Sequence, residues 1–309
     1  MIAVGSIAFQ PVLAGILISL CSFVGILIIL NKYLAALDVK NNNWYKIYAA
    51  FLLFPTSFYL LGVYTESLFL LLLVSSLYTM HKKKYFLTFI LSVLAALTRF
   101  VGIFLVIPLF FEAFTVYGLS GQSPKFIIQK IIKNMKPALT LLGAPIGFII
   151  YSIFLWKTTG DPIRFFNNLP DFQTGRQTDL ILFPQVMFRY IKIFLTAQMN
   201  FQYFIAAVEF AVFLLVFIVL SYDLLKIYRK EYKHLLVRLG LNLFSFVNLL
   251  LPTFTGTFTS LPRYVLTSLS FFIVLGEIKH KQIQIILFIL FIVLHIILFT
   301  YFIQGYFVS

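Results

Sequence analysis

Residues 7–30 read IAFQPVLAGILISLCSFVGILIIL, with no charged side chain among them. As a helix rising about 1.5 Å per residue, such a run exceeds the roughly 30 Å hydrocarbon core of a bilayer. No Lys or Arg precedes it, so it lacks the basic leader of a secretory signal peptide. The single cysteine, Cys21, lies inside this run, where it reads as a buried small hydrophobe. One cysteine also excludes a disulfide scaffold.

The rest of the chain continues the pattern. Of its 309 residues 61% are apolar and 11% charged, against roughly 45–50% and 25% in soluble domains. Mean hydropathy is +0.99. A soluble protein of this length has no core large enough to hide those side chains, and disorder requires low hydrophobicity. The fold class is therefore an all-α polytopic membrane protein in one integral domain.

Apolar runs and their interruptions give about ten transmembrane or re-entrant segments. They are 7–30, 47–62, 66–80, 85–98, 100–116, 137–157, 201–222, 239–252, 261–276 and 283–303. Pro55 and Glu66 divide one long run and Arg99 another. The remaining stretch, 158–200, is a long loop in which Phe183–Leu195 has apolar residues at helical spacing around Arg189 and Lys192.

The net charge of +14 would suggest nucleic acid in a soluble protein. Here most Lys and Arg residues fall in alternate loops: Lys32, Lys40 and Lys46; Lys82–Lys84; Lys125, Lys130, Lys133 and Lys136; Lys226, Arg229, Lys230, Lys233 and Arg238; Lys279 and Lys281. This is the positive-inside pattern, and it places those loops in the cytoplasm, the 158–200 loop outside, and no nucleic-acid partner. Trp44 and Trp156 fall at opposite interfaces as belt anchors. His81, His234 and His280 sit among the inner lysines and read as solvated. His295 lies inside the last segment and reads as a hydrogen-bonded histidine facing the bundle. No Walker loop, dinucleotide fingerprint or metal-ligand spacing is present.

The outer side carries the informative charges. Glu66, at the head of an apolar helix, suits the helix dipole, with Thr65 or Ser67 as caps; it equally suits a sugar-hydroxyl ligand or a general base. Arg99, at the next break, is either the ion-pair partner of Glu66 or a clamp on a phosphate. Arg263 starts a helix, where a cation opposes the dipole. Two arginines and a carboxylate at one rim suit a lipid phosphate bearing a sugar, reached from the bilayer without a soluble nucleotide site.

Phe54-Pro55-Thr56-Ser57-Phe58, Val63-Tyr64-Thr65-Glu66-Ser67-Leu68-Phe69 and Ala96-Leu97-Thr98-Arg99-Phe100-Val101-Gly102 together resemble the bacterial relatives of the GPI second-mannose transferase (PIG-V-like) family. That family belongs to the GT-C superfamily of membrane glycosyltransferases. Gly160-Asp161-Pro162 with Phe165 resembles the start of the family's long outer loop, and Leu261-Pro262-Arg263-Tyr264 its late Pro-Arg-Tyr motif.

The resemblance implies a GT-C-like fold in the plasma membrane with its active face extracytoplasmic. It implies transfer of a hexose, typically mannose, from a polyprenyl-phosphate sugar to a glycan, lipid or protein acceptor. Glu66 and Asp161 become the catalytic candidates. Tyr64, Thr65, Arg99, Arg263 and Tyr264 become the substrate-binding ones. No cofactor beyond the lipid-linked donor is called for, no metal ligand is assigned, and metal dependence is left open. GT-C enzymes usually carry a catalytic acid in a first outer loop after an initial helix, whereas the first acidic residue here is Asp38, on the inner side. The expectation is that an upstream helix and acidic loop are missing. The alternatives are a lipid-glycan transporter or flippase, and an inactive fragment lacking the catalytic loop.

Overall fold

The computed structural model describes residues 11–39, 41–118, 135–172 and 175–308, together with Gln129 and Lys133. Every regular element among the described residues is helical. The start of the expected 7–30 segment, and Lys40, Lys125 and Lys130 of the inner loops, lie outside the described residues.

Among the described residues five stretches are long and apolar enough to cross a membrane: Pro11–Ala36, Lys136–Thr159, Phe201–Tyr228, Leu235–Thr255 and Lys281–Ile303. Only 11% of the most apolar window of Lys281–Ile303 is buried. A helix apolar all round with its side chains turned outward suits lipid and not water. The architecture is thus helical and consistent with a membrane protein. The other expected segments are shorter or broken.

The helices are α1 Pro11–Ala36, α2 Asn41–Leu52, α3 Glu66–His81, α4 Tyr85–Thr98, α5 Val106–Val116, α6 Lys136–Thr140, α7 Gly143–Thr159, α8 Arg164–Asn167, α9 Phe183–Thr196, α10 Phe201–Tyr228, α11 Leu235–Leu250, α12 Leu261–Val265, α13 Leu269–Gly276 and α14 Lys281–Ile303. They belong to two compact units. The first holds the chain to Tyr45, Phe58–Ile153 and Leu225–Phe244; the second holds Lys46–Ser57, Phe154–Leu224 and Ser245 onward.

In the first unit α3 and α4 form an antiparallel hairpin. Lys83 takes a left-handed conformation (φ 59°) in the turn between them. A Cβ on Gly147 of α7 would stand 2.4 Å from the carbonyl oxygen of Val93 on α4, so that contact needs a residue without one. Cys21 points outward from α1 instead of inward: it is exposed, a small thiol on the outer face of a span.

In the second unit the expected segment 47–62 stops early. Pro55 disfavours helical geometry at Phe54, and α2 ends at Leu52. The freed carbonyls are taken up locally: Ser57 Oγ donates to Leu52 O at 2.6 Å and to Phe54 O at 2.8 Å. His295 Nδ1 lies 3.1 Å from Phe54 O and 3.3 Å from Ser57 Oγ, the hydrogen-bonded role expected of it. The Phe54 ring packs edge-on against Phe271, Phe272 and Phe291. The expected segment 261–276 is likewise two helices, α12 and α13. Thr267 Oγ1 at the break donates to Tyr264 O at 2.8 Å and to Asn248 Oδ1 at 3.1 Å, competing with the helical ladder. The amphipathic stretch of the long loop forms α9.

Candidate functional site

The α3–α4 hairpin brings two charges together at its open end. Glu66 is the first residue of α3, and Arg99 follows the last residue of α4. The helices have 16 and 14 residues, so their free ends meet. Arg99 Nη1 stands 2.7 Å from Glu66 Oε1, with the side chains 12% and 0% exposed. The carboxylate sits at a helix N-terminus and the guanidinium at a helix C-terminus, so both dipoles favour the pair.

The backbone around the pair is tightly set. Arg99 is extended (φ −147°, ψ 141°) and hands the chain to a 3-10 turn, Phe100–Leu105. Gly102 N–H donates to Arg99 O at 2.9 Å. A Cβ on Gly102 would lie 2.6 Å from Ala96 Cα, so the turn folds back onto α4 only with glycine there. Thr65 precedes α3 without a side-chain cap, and Ser67 Oγ donates instead to Leu60 O. The expectation that either hydroxyl caps the helix is therefore corrected. Thr65 is exposed and Tyr64 half-buried. The Tyr64 ring meets Tyr59 edge-on at 4.8 Å.

The remaining site candidates lie in the second unit. Arg263 and Tyr264 are on α12, both half-buried. The chain reaches α12 through Gly256–Ser260, a loop held at almost every residue. Arg189 Nη1 donates to Gly256 O at 2.7 Å, and Arg176 Nη2 to Thr259 O at 2.6 Å. Phe258 N–H donates to Tyr190 Oη at 3.0 Å. Ser260, left-handed at φ 62°, donates its N–H to Glu209 Oε1 at 3.1 Å. Tyr190 Oη in turn donates to Glu209 Oε2 at 3.1 Å. Burial, then the Glu209 carboxyl, push the Tyr190 phenol well above its ordinary range. The Arg176 guanidinium lies 5.8 Å over the Tyr264 ring, a cation–π approach. Asp161 accepts from Ile163 N–H at 2.9 Å and Asn167 Nδ2 at 2.8 Å, so its carboxylate organises its own turn before α8.

A further carboxylate escapes the sequence reading. Glu112 of α5 is fully buried in the first unit. Tyr33 Oη donates to Glu112 Oε2 at 3.2 Å, and His81 Nδ1 lies 2.6 Å from Oε1. His81 is thus a partner of a buried acid, which corrects its reading as a solvated histidine. His234 lies 3.5 Å from Asp38 in an exposed group with Lys233. Glu209 and Asp223 are further acids buried within a helix, α10. The signal for them was plain: an acidic residue within an apolar helical run has to find a partner. Among the described residues no three His, Cys, Asp or Glu side chains are grouped to hold a metal.

No family model, curated protein or solved structure matches this chain.

Proposed function

We propose that this chain is a polyprenyl-phosphate-sugar-dependent glycosyltransferase of the GT-C type, moving a hexose, with mannose as the first candidate, to a lipid- or protein-linked acceptor at the extracytoplasmic face of the plasma membrane. The observation that carries the reading is the buried Glu66–Arg99 pair. It lies within residues 54–102, the stretch with the most specific family resemblance. A carboxylate buried against a guanidinium at helix ends is held in one orientation, as a base for a hydroxyl proton must be.

In the reaction the acceptor hydroxyl oxygen bonds to the anomeric carbon as the bond from that carbon to the phosphate oxygen breaks. The hydroxyl proton passes to a carboxylate, and polyprenyl phosphate leaves with the bonding pair. Glu66 is the base candidate in the first unit and Arg99 its positioning residue. In the second unit, Arg263 is the candidate for the phosphate and Tyr264 accompanies it. Asp161 is the weaker base candidate because its oxygens already serve a turn.

The test is transfer of labelled mannose from undecaprenyl- or dolichyl-phosphate mannose in membranes carrying the chain. Transfer above control membranes is expected, falling at least about 100-fold in Glu66→Gln and Arg263→Ala, the scale of losing a general base or a charge-stabilising group. Transfer that survives both substitutions removes the reading.

A lipid-glycan transporter or flippase is favoured by a different observation: the buried Glu112 joined to His81 and Tyr33. Ionisable groups inside a helical membrane protein commonly mark transport pathways. Translocation of a lipid-linked sugar in liposomes, lost in Glu112→Gln, would favour it over transfer.

A further inference from the structure

Helix α9 has two apolar faces. One is packed within the second unit: Val186 and Tyr190 are buried, and the Tyr190 ring lies 4.5 Å from Phe258. On the opposite side, Pro184, Phe188, Ile191 and Leu195 recur at helical spacing and form a single stripe. That stripe is bare: Phe188 is 68% exposed and Leu195 80%. The bareness extends past both helix ends, with Leu180 74% and Met199 89% exposed. Lys192, also exposed, borders the stripe beside Gln185 and Thr196.

A water-facing loop does not carry such a row, because each exposed side chain forfeits about 1.5–3 kcal/mol of burial. What covers the row follows from the chain's path. Thr196 ends α9 and Phe201 begins α10, a 28-residue helix long and apolar enough to span a bilayer. The intervening chain reaches at most about 18 Å fully extended. α9 is therefore tethered next to the membrane surface at the Phe201 end of α10. A helix with a bare apolar stripe bordered by a long cationic side chain is built for that boundary: the stripe enters the acyl region and the lysine stem reaches back to the phosphates.

We propose that α9 lies in the membrane interface, with the Pro184–Phe188–Ile191–Leu195 stripe seated among lipid acyl chains. Its other face then fixes the loop 256–260 through Arg189 and Tyr190, so α9 couples that loop to the lipid surface. The inference rests on the membrane reading of α10 and on nothing about catalysis.

The test uses the whole chain with Cys21→Ser, reconstituted in phosphatidylethanolamine and phosphatidylglycerol vesicles. A fluorophore is attached in separate variants at Phe188→Cys, Leu195→Cys, Gln185→Cys and Ile218→Cys, the last on the exposed face of α10. Positions 188 and 195 are expected to be quenched by brominated lipid several-fold more than position 185, and shielded from aqueous iodide. Iodide quenching of 188 and 195 equal to that of 185, with 218 quenched by lipid, overturns the proposal and leaves the membrane reading standing. Failure of lipid to quench 218 overturns both. Shielding of 188 and 195 from both quenchers, with disulfide-linked dimers when the unlabelled Leu195→Cys variant is oxidised, assigns the stripe to a second copy and also overturns it.

Discussion

Arg99 Nη1 and Glu66 Oε1 meet at 2.7 Å across the open end of a hairpin whose closed end is the Lys82–Lys84 turn. Covalent connection and a buried ion pair thus hold α3 and α4 at opposite ends. Helices of 16 and 14 residues are too short for generous spans, and such a clasp fixes their register.

Removing one partner leaves the other charge buried, which costs about 3–5 kcal/mol. Arg99→Leu and Glu66→Leu are each expected to lower the melting temperature in detergent strongly. The double variant Glu66→Leu with Arg99→Leu is expected to recover much of the loss, because no buried charge is left. A melting-temperature cycle over the four proteins reads this directly. Equal, additive losses would mean that the pair is not coupled.

Gly102→Ala is expected to destabilise by about 1–3 kcal/mol, the scale of overpacking. Its Cβ meets backbone atoms of Ala96 and Ala95 at 2.6–2.8 Å, and backbone cannot rotate aside. Thermal unfolding checks it, with Gly160→Ala as the contrast: that site is open, though its φ of 77° adds backbone strain.

Glu112 has two hydroxyl- or ring-bearing partners, and their removal should differ in size. Tyr33→Phe deletes one hydrogen bond and is expected to cost about 1–3 kcal/mol, since the acceptor stays buried. His81→Phe removes the closer partner and should cost at least as much. Chemical denaturation in detergent ranks the two.

Asp38 gives a pH dependence with a definite sign. Hydrogen bonding from Lys233, then from His234, holds its carboxyl below the ordinary value. Its contribution to stability is present above the unfolded value of about 3.9 and fades as pH falls through the lower folded value. Asp38→Asn is expected to flatten the acid limb of a melting-temperature profile below about pH 4 without changing the limb above pH 6. The effect is small because the group is exposed and screened. An unchanged acid limb would deny the interaction.

The hairpin was legible in the sequence because helix periods and charges agreed there: the expected bounds 66–80 and 85–98 differ from α3 and α4 by a single residue. The pairing of Glu66 with Arg99 was one of the two readings the sequence left open for Arg99. Hydropathy misled where a run of apolar residues hid a backbone decision. Phe54-Pro55-Thr56 continues the apolar run of 47–62, yet proline ends α2 at Leu52. Thr267 does the same between α12 and α13, through side-chain hydrogen bonds that hydropathy does not register. His81 was misread because its neighbours in sequence are lysines, while its neighbour in space, Glu112, is thirty-one residues away. The clamp on Gly256–Ser260 was not legible at all, since Arg176, Arg189, Tyr190 and Glu209 come from three separate stretches.

The most direct measurement is hexose transfer itself, in membranes carrying either the chain or its Glu66→Gln variant, with labelled polyprenyl-phosphate mannose as donor. Glu66→Gln keeps the shape of the side chain and removes its ability to take a proton. Labelled acceptor is expected with the unaltered chain and a loss of at least about 100-fold with the variant at equal protein level. Equal transfer by both, or transfer by neither above control membranes, would contradict the proposed activity.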